Sequence, residues 1–281
     1  MAVIGIDTAG RLGGVGVVSA GRLLGATVLG VEEGHSQNLL PALESLMERL
    51  DLTPAAVDGI AVAIGPGSFT GLRIGVAVAK ALGYAWGVPV KGVSTLLATA
   101  WPLAGVPGVI CASLDARKEH VFSATYAGER LGELARGAVG GALEAGERHD
   151  SAVSPAGRGP EPGGAPAGGF ASGGAAPLLP AEAVIDPEER RSIEEVAGAL
   201  QRAAASGKKV YLVGDGAPLL YERLREAGAV TVPLQGEGLR AAHVAHIGEM
   251  ELSRGAADDL FALSPNYLRR SEAERRWKQS R

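Results

Sequence analysis

The sequence predicts an α/β chain made of two related lobes, and three observations carry that expectation. The first 30 residues read as three successive short strands. Helical and strand-like segments then alternate as far as about residue 104. From Val109 similar ingredients begin again. A length of 281 residues suits one large domain or two small ones. Hydrophobic residues make up 46% of the chain but aromatics only 4%, so the core must be built mainly of Ala, Val, Leu and Ile. A net charge of -4 excludes a chain that coats nucleic acid by bulk charge.

In chain order, Val3 to Asp7 reads as a buried strand ending on a carboxylate. Gly14 to Ser19 and Arg22 to Val28 read as a hairpin turned at Ala20-Gly21. From residue 36 to 50 the apolar residues Leu39, Leu40, Leu43, Leu46, Met47 and Leu50 fall at helical spacing, with Pro41 tolerable in the first turns. Gly59 to Ile64 is a short strand, followed by a glycine-rich loop and a helix to Trp86. A strand at 88–93 leads to a helix N-capped by Ser94. The second set comprises strands at 109–114, 120–126 and 209–213 and helices at 193–205, 218–227 and 241–254. The expected lobes are 1–104 and 105–281. Between Ser151 and Pro180, 24 of 30 residues are Gly, Ala, Pro or Ser, so a flexible insertion is expected over about 136–180.

No apolar run of about 18 residues predicts a membrane span. No basic segment precedes the apolar start Met1-Ala2-Val3-Ile4, and the lone Cys111 sits in an apolar run. These features predict a cytoplasmic chain with a buried thiol.

The helix of residues 71–86 is apolar nearly all round, which predicts burial nearly all round. Gly71, Gly75, Ala79 and Gly83 form a small-residue stripe, and Ala77, Ala81 and Ala85 a second. Glycine inside a helix costs about 1 kcal/mol relative to alanine, and close packing would offset it. The helix could meet a partner or lie central within one lobe. The preceding loop, Gly65-Pro66-Gly67-Ser68-Phe69-Thr70-Gly71, fails the phosphate-loop pattern because Leu72 stands where lysine is needed.

The runs IGIDTA (4–9), HSQNLLP (35–41), GPGSFTGLRIG (65–75), GVST (92–95), LDAR (114–117) and PNYLR (265–269) occur in this order. Together they resemble the TsaB/YeaZ family of bacterial tRNA threonylcarbamoyladenosine biosynthesis, across the whole chain except the insertion. The resemblance implies a two-lobed actin/sugar-kinase/Hsp70-like fold. It also implies a non-catalytic subunit, a degenerate relative of TsaD. Such a subunit binds and activates TsaD, joins TsaE in a larger complex, self-associates as a homodimer and meets tRNA only through the complex. It needs no cofactor or metal of its own; ATP and metal belong to the partner subunits. Helices 36–50 and 71–86 are the implied interface, with Leu39, Leu43, Gly71, Gly75, Val76, Ala79 and Gly83 as contacts. Where TsaD-like proteins carry a His-x-x-x-His metal pair, this chain has Thr95 and Thr99, poor ligands for a transition metal.

The rival reading is an ATP-binding kinase-like enzyme or ATPase of the same fold. Asp7 and Thr8 resemble a first phosphate turn, at which Asp7 would hold a hydrated Mg²⁺. Gly214 and Gly216 form a second glycine turn. A peptidase is a further alternative, but no nucleophile-elbow pattern surrounds Ser68. His243, His246 and Glu249 share a helix face without completing a metal site. The tail 266–281 is basic, suited to tRNA phosphate or simply to solvent.

Overall fold

The computed structural model describes residues 1–30, 35–136, 179, 181–225, 228, 230–231 and 239–268. Apart from residues 136 and 179, the expected insertion lies outside them, as does the tail beyond residue 268.

The first sheet is built from β1 (Ala2–Asp7), β2 (Leu12–Ser19), β3 (Arg22–Gly30), β4 (Gly59–Gly65) and β5 (Val90–Ser94) in the order β3-β2-β1-β4-β5. The second uses β6 (Val109–Asp115), β7 (His120–Ala127), β8 (Val184–Ser192), β9 (Val210–Val213) and β10 (Val230–Thr231) in the order β10-β9-β6-β7-β8. Read from β8, that order repeats the first: an antiparallel meander, then two parallel strands beside its first member. Helices α1 (His35–Arg49), α2 (Phe69–Trp86) and α3 (Thr95–Ala100) follow the first meander. Helices α4 (Ile193–Ala205), α5 (Ala217–Leu224) and α6 (Arg240–Ser253) follow the second. The two lobes expected from the sequence thus share one sheet plan, used twice.

The strand alternation of period two assigns the layers. Ile4, Ile6, Ile60 and Val62 face α1 and α2, whereas Val3, Ala61 and Ala63 face α6 and α3. Cys111, Val121 and Leu212 face α4 and α5. The middle layer joins the two sheets through one core, in which α3 packs on β6 and β7 while α6 packs on β1, β2 and β4. Helix α6, expected with the second lobe, therefore lies on the first sheet. Small residues make that contact possible: a Cβ on Gly5 would stand 2.1 Å from the Ala241 carbonyl oxygen.

Two strands were not expected from the sequence, the two-residue β10 and the longer β8. β8 is charged and contains Pro187, which an edge position tolerates because one side of its backbone has no ladder partner. Among the described residues, no helix is long and apolar enough to cross a membrane.

Candidate functional site

The glycine-rich loop is fixed to the end of β1. The Ser68 N–H donates to the Ala9 carbonyl at 2.8 Å. The Ser68 hydroxyl oxygen accepts the Gly71 N–H at 3.2 Å as the N-cap of α2. Ser68 thus has a capping role. The buried Thr8 hydroxyl donates to the Gly71 carbonyl at 2.7 Å. Cβ atoms built on Gly71 and Gly75 would meet the Thr8 oxygens at 2.0 and 2.4 Å.

The small stripe of α2 consequently faces its own lobe. Gly71, Gly75, Val76, Ala79 and Gly83 are all buried against the first sheet, Gly83 lying on Val90. Leu39 and Leu43 are buried too, at 1% and 3% exposure, in the core beneath α1. For Leu39 and the five α2 residues the expected contact role is corrected on burial, whereas Leu43, although 3% exposed, lines a groove between α1 and α2. Nor is α2 buried all round: Arg73, Ala77, Ala81, Tyr84 and Ala85 are exposed, so the second alanine stripe points outward.

Between α1 and α2 lies a groove of about 540 Å³ with Leu40, Met47, Leu82 and Trp86 among its apolar walls and the exposed carboxylates of Glu44 and Glu48 beside them. Leu40 is 48% and Tyr84 51% exposed. On the other flank of α2 the C-terminal segment is tied down by Lys80, whose Nζ donates to the Phe261 and Leu263 carbonyls at 2.9 and 3.2 Å. Phe261 meets Tyr84 edge-on with centroids 6.5 Å apart and stays 78% exposed. Tyr267 stacks on Phe69, over which the Arg73 guanidinium also sits at 3.9 Å. The surface formed by α1, α2 and this segment combines apolar patches with fixed cations.

The two candidate phosphate turns are committed to internal contacts. Asp7 is 1% exposed. Its Oδ1 accepts the Ala9 N–H at 2.9 Å and its Oδ2 accepts the Arg240 Nε–H at 2.7 Å. A hydrated Mg²⁺ needs free carboxylate oxygens and room for water, so the residues at Asp7 do not fit that ion. At the second turn Gly214 has φ +97°, and its Cβ would lie 2.2 Å from the Ser113 carbonyl oxygen. The Gly216 N–H donates to that same oxygen at 3.0 Å. These glycines let the turn pack on β6.

Thr95 and Thr99 are buried on α3, Thr99 donating to the Thr95 carbonyl at 2.7 Å. His243 and His246 lie on α6, where burial above all pushes both imidazoles down, His243 to about 4. His246 packs edge-on against Trp101 at 5.9 Å. Glu249 serves elsewhere, accepting the Gly21 N–H of the first hairpin at 2.9 Å. Among the described residues no group of three His, Cys, Asp or Glu could hold a metal ion. Cys111 is fully buried, and burial pushes its thiol up to about 12.

Sequence reasoning missed Arg240, whose partner lies 233 residues away. It also missed Glu188 of β8, which accepts a hydrogen bond from Ser94 at the end of β5 and is raised by burial. Glu188 lies in the contiguous charged run Glu188-Glu189-Arg190-Arg191, which carries no strand periodicity in the sequence.

A model of the family described as TsaD: tRNA N6-adenosine threonylcarbamoyltransferase matches residues 30–161, a stretch that holds α1 and α2. Two proteins named tRNA threonylcarbamoyladenosine biosynthesis protein TsaB are similar to the chain. That of Bacillus subtilis is 32% identical over 126 residues, 45% of this chain and 55% of its own length. That of Escherichia coli is 33% identical over 129 residues, again 45% and 55%. Over this stretch the chain is similar to TsaB. The match spans about half the length of these curated relatives. The TsaB/YeaZ-like fold extends further. YeaZ from Pseudomonas aeruginosa aligns over 95% of this chain and 99% of its own, with a TM-score of 0.59 at 19% identity. A P. aeruginosa protein described as similar to peptidase YEAZ aligns over the same shares with a TM-score of 0.62 at 20% identity.

Proposed function

We propose that this chain is a TsaB-type subunit of the machinery that makes threonylcarbamoyladenosine in tRNA: a non-catalytic scaffold that binds and activates TsaD through the outer face of α1 and α2. The observation that carries this reading is the apolar groove between those helices, walled by Leu40, Leu43, Leu82 and Trp86, with Ala81 and Tyr84 exposed elsewhere on the outer surface of α2. Exposed apolar surface of this kind, rimmed by charge, suits protein association. The stretch similar to the TsaD family contains both helices, so two related chains would present matching faces to one another. The same face would serve a homodimer when TsaD is absent. TsaE would join the TsaD-bound form, ATP and metal would reside on the partner subunits, and tRNA would be met only through the complex, in the cytoplasm.

The absence of a catalytic role is supported by what the candidate groups do instead. Asp7 is neutralised by Arg240, Ser68 caps a helix, and threonines stand at the positions of the metal histidines. Co-purification of the full chain with TsaD from the same organism tests the reading. The wild type should be retained, and Leu40→Glu with Ala81→Glu should abolish retention while the fold stays intact. Retention unaffected by both changes, or ATP turnover by the isolated chain, would refute it.

A further inference from the structure

The first phosphate turn contains a positive charge that the chain supplies itself. Asp7 closes β1 and Arg240 opens α6, and the two are 1% and 3% exposed. A carboxylate at that depth needs a cation beside it, because burying an unpaired charge is strongly unfavourable. At a phosphate turn of the kind expected for Asp7, that cation would be a hydrated divalent ion. Here the Nε–H of Arg240 bonds Oδ2 at 2.7 Å, and the Ala9 N–H bonds Oδ1 at 2.9 Å. The rest of the guanidinium lies over the turn: a Cβ on Gly10 would stand 2.7 Å from Nη2. Among the described residues the buried Nη2 has no hydrogen-bond partner, so the group is held there by its charge on Asp7 and by packing.

We infer that Arg240 is a built-in substitute for a divalent cation at Asp7. It neutralises the carboxylate, closes the β1–β2 turn to a Mg²⁺-bound phosphate, and pins α6 to the first sheet whether or not a nucleotide is present. Helix α6 lies in the layer that joins the two sheets, so the pin fixes the middle of the molecule. The inference concerns this turn alone and stands whichever protein the outer face of α1 and α2 binds.

Thermal unfolding and calorimetric titration of the full chain with MgCl₂ alone, and then with MgCl₂ and ATP, test it. The wild type should show neither heat of binding nor a shift in Tm. Arg240→Ala should have a lowered Tm that rises with added MgCl₂, and the rise should vanish in Arg240→Ala with Asp7→Asn. If Arg240→Ala does not fold, the neutral pair Arg240→Met with Asp7→Asn decides the matter. Replacing both charges removes the need for a cation, so this pair should fold and unfold within a few degrees of the wild type. Mg²⁺ binding by the wild type that is lost in Asp7→Asn would overturn the inference. So would a folded Arg240→Ala indifferent to MgCl₂, or a neutral pair that does not fold.

Discussion

Replacing Gly75 by alanine sets two opposed effects against each other. In the interior of an exposed helix the change would stabilise by about 1 kcal/mol, because glycine is the poorer helix former. At Gly75 the new methyl would lie 2.4 Å from the Thr8 hydroxyl oxygen, well inside van der Waals contact. That hydroxyl is fully buried and bonded to the Gly71 carbonyl at 2.7 Å. Either β1 and α2 move apart, an overpacking cost of about 1–3 kcal/mol, or Thr8 rotates and leaves a buried hydroxyl unpaired, a cost of about 1–3 kcal/mol. Subtracting the helix gain from either cost leaves a net loss of up to about 2 kcal/mol. At about 2–4 °C of Tm per kcal/mol for a chain approaching this size, differential scanning calorimetry should show a clear fall. Ala77→Leu, on the exposed side of the same helix, should stay within about 0.5 kcal/mol of the wild type. A Tm raised by the helix-propensity gain of about 1 kcal/mol for Gly75→Ala would refute the inward orientation of the small stripe and, with it, the reassignment of the partner face.

Two further outcomes follow from buried titratable groups. Burial above all, then the positive charges of His246 and Arg240, pushes His243 from 6.5 down to about 4. Between those values the unfolded chain binds a proton that the folded chain does not, so stability from this group is whole above pH 6.5 and is lost as pH falls towards 4. The loss should reach about 2–3 kcal/mol, and His243→Gln should flatten the acid limb of a urea-midpoint profile; a parallel profile would contradict it. Cys111, buried and pushed up to about 12, should react with a thiol reagent such as DTNB only at the rate of unfolding, and rapid labelling of the native protein would refute its placement.

The regular parts of the fold were legible because their signals are local. The helix at 193–205 has a Ser192–Glu195 capping box and one apolar face, and its bounds match the expectation. The first hairpin turns at Ala20-Gly21, both with positive φ as such turns demand. β8 was illegible because an edge strand need not be apolar, and its charges and Pro187 imitate a loop. The direction of α2 was illegible for a different reason. Glycine and alanine on one face require a close neighbour but do not say whether it belongs to another chain, and here it is Thr8 on β1. The sheet contact of α6, through Ala241, Ala245 and Gly248, carries the same small-residue signal and was passed over because its partner strands lie at the opposite end of the sequence. The Asp7–Arg240 pair is likewise a product of topology: it exists only because α6 returns to the first sheet.

The central claim, that the outer face of α1 and α2 binds TsaD, is tested most directly by isothermal calorimetry of the full chain with TsaD from the same organism. Wild type and Leu40→Glu with Ala81→Glu should be compared after confirming equal Tm. The account predicts that the wild type binds and that the charged variant binds at least about tenfold more weakly, a change of about 1.4 kcal/mol or more. Equal affinity of the two proteins would contradict it.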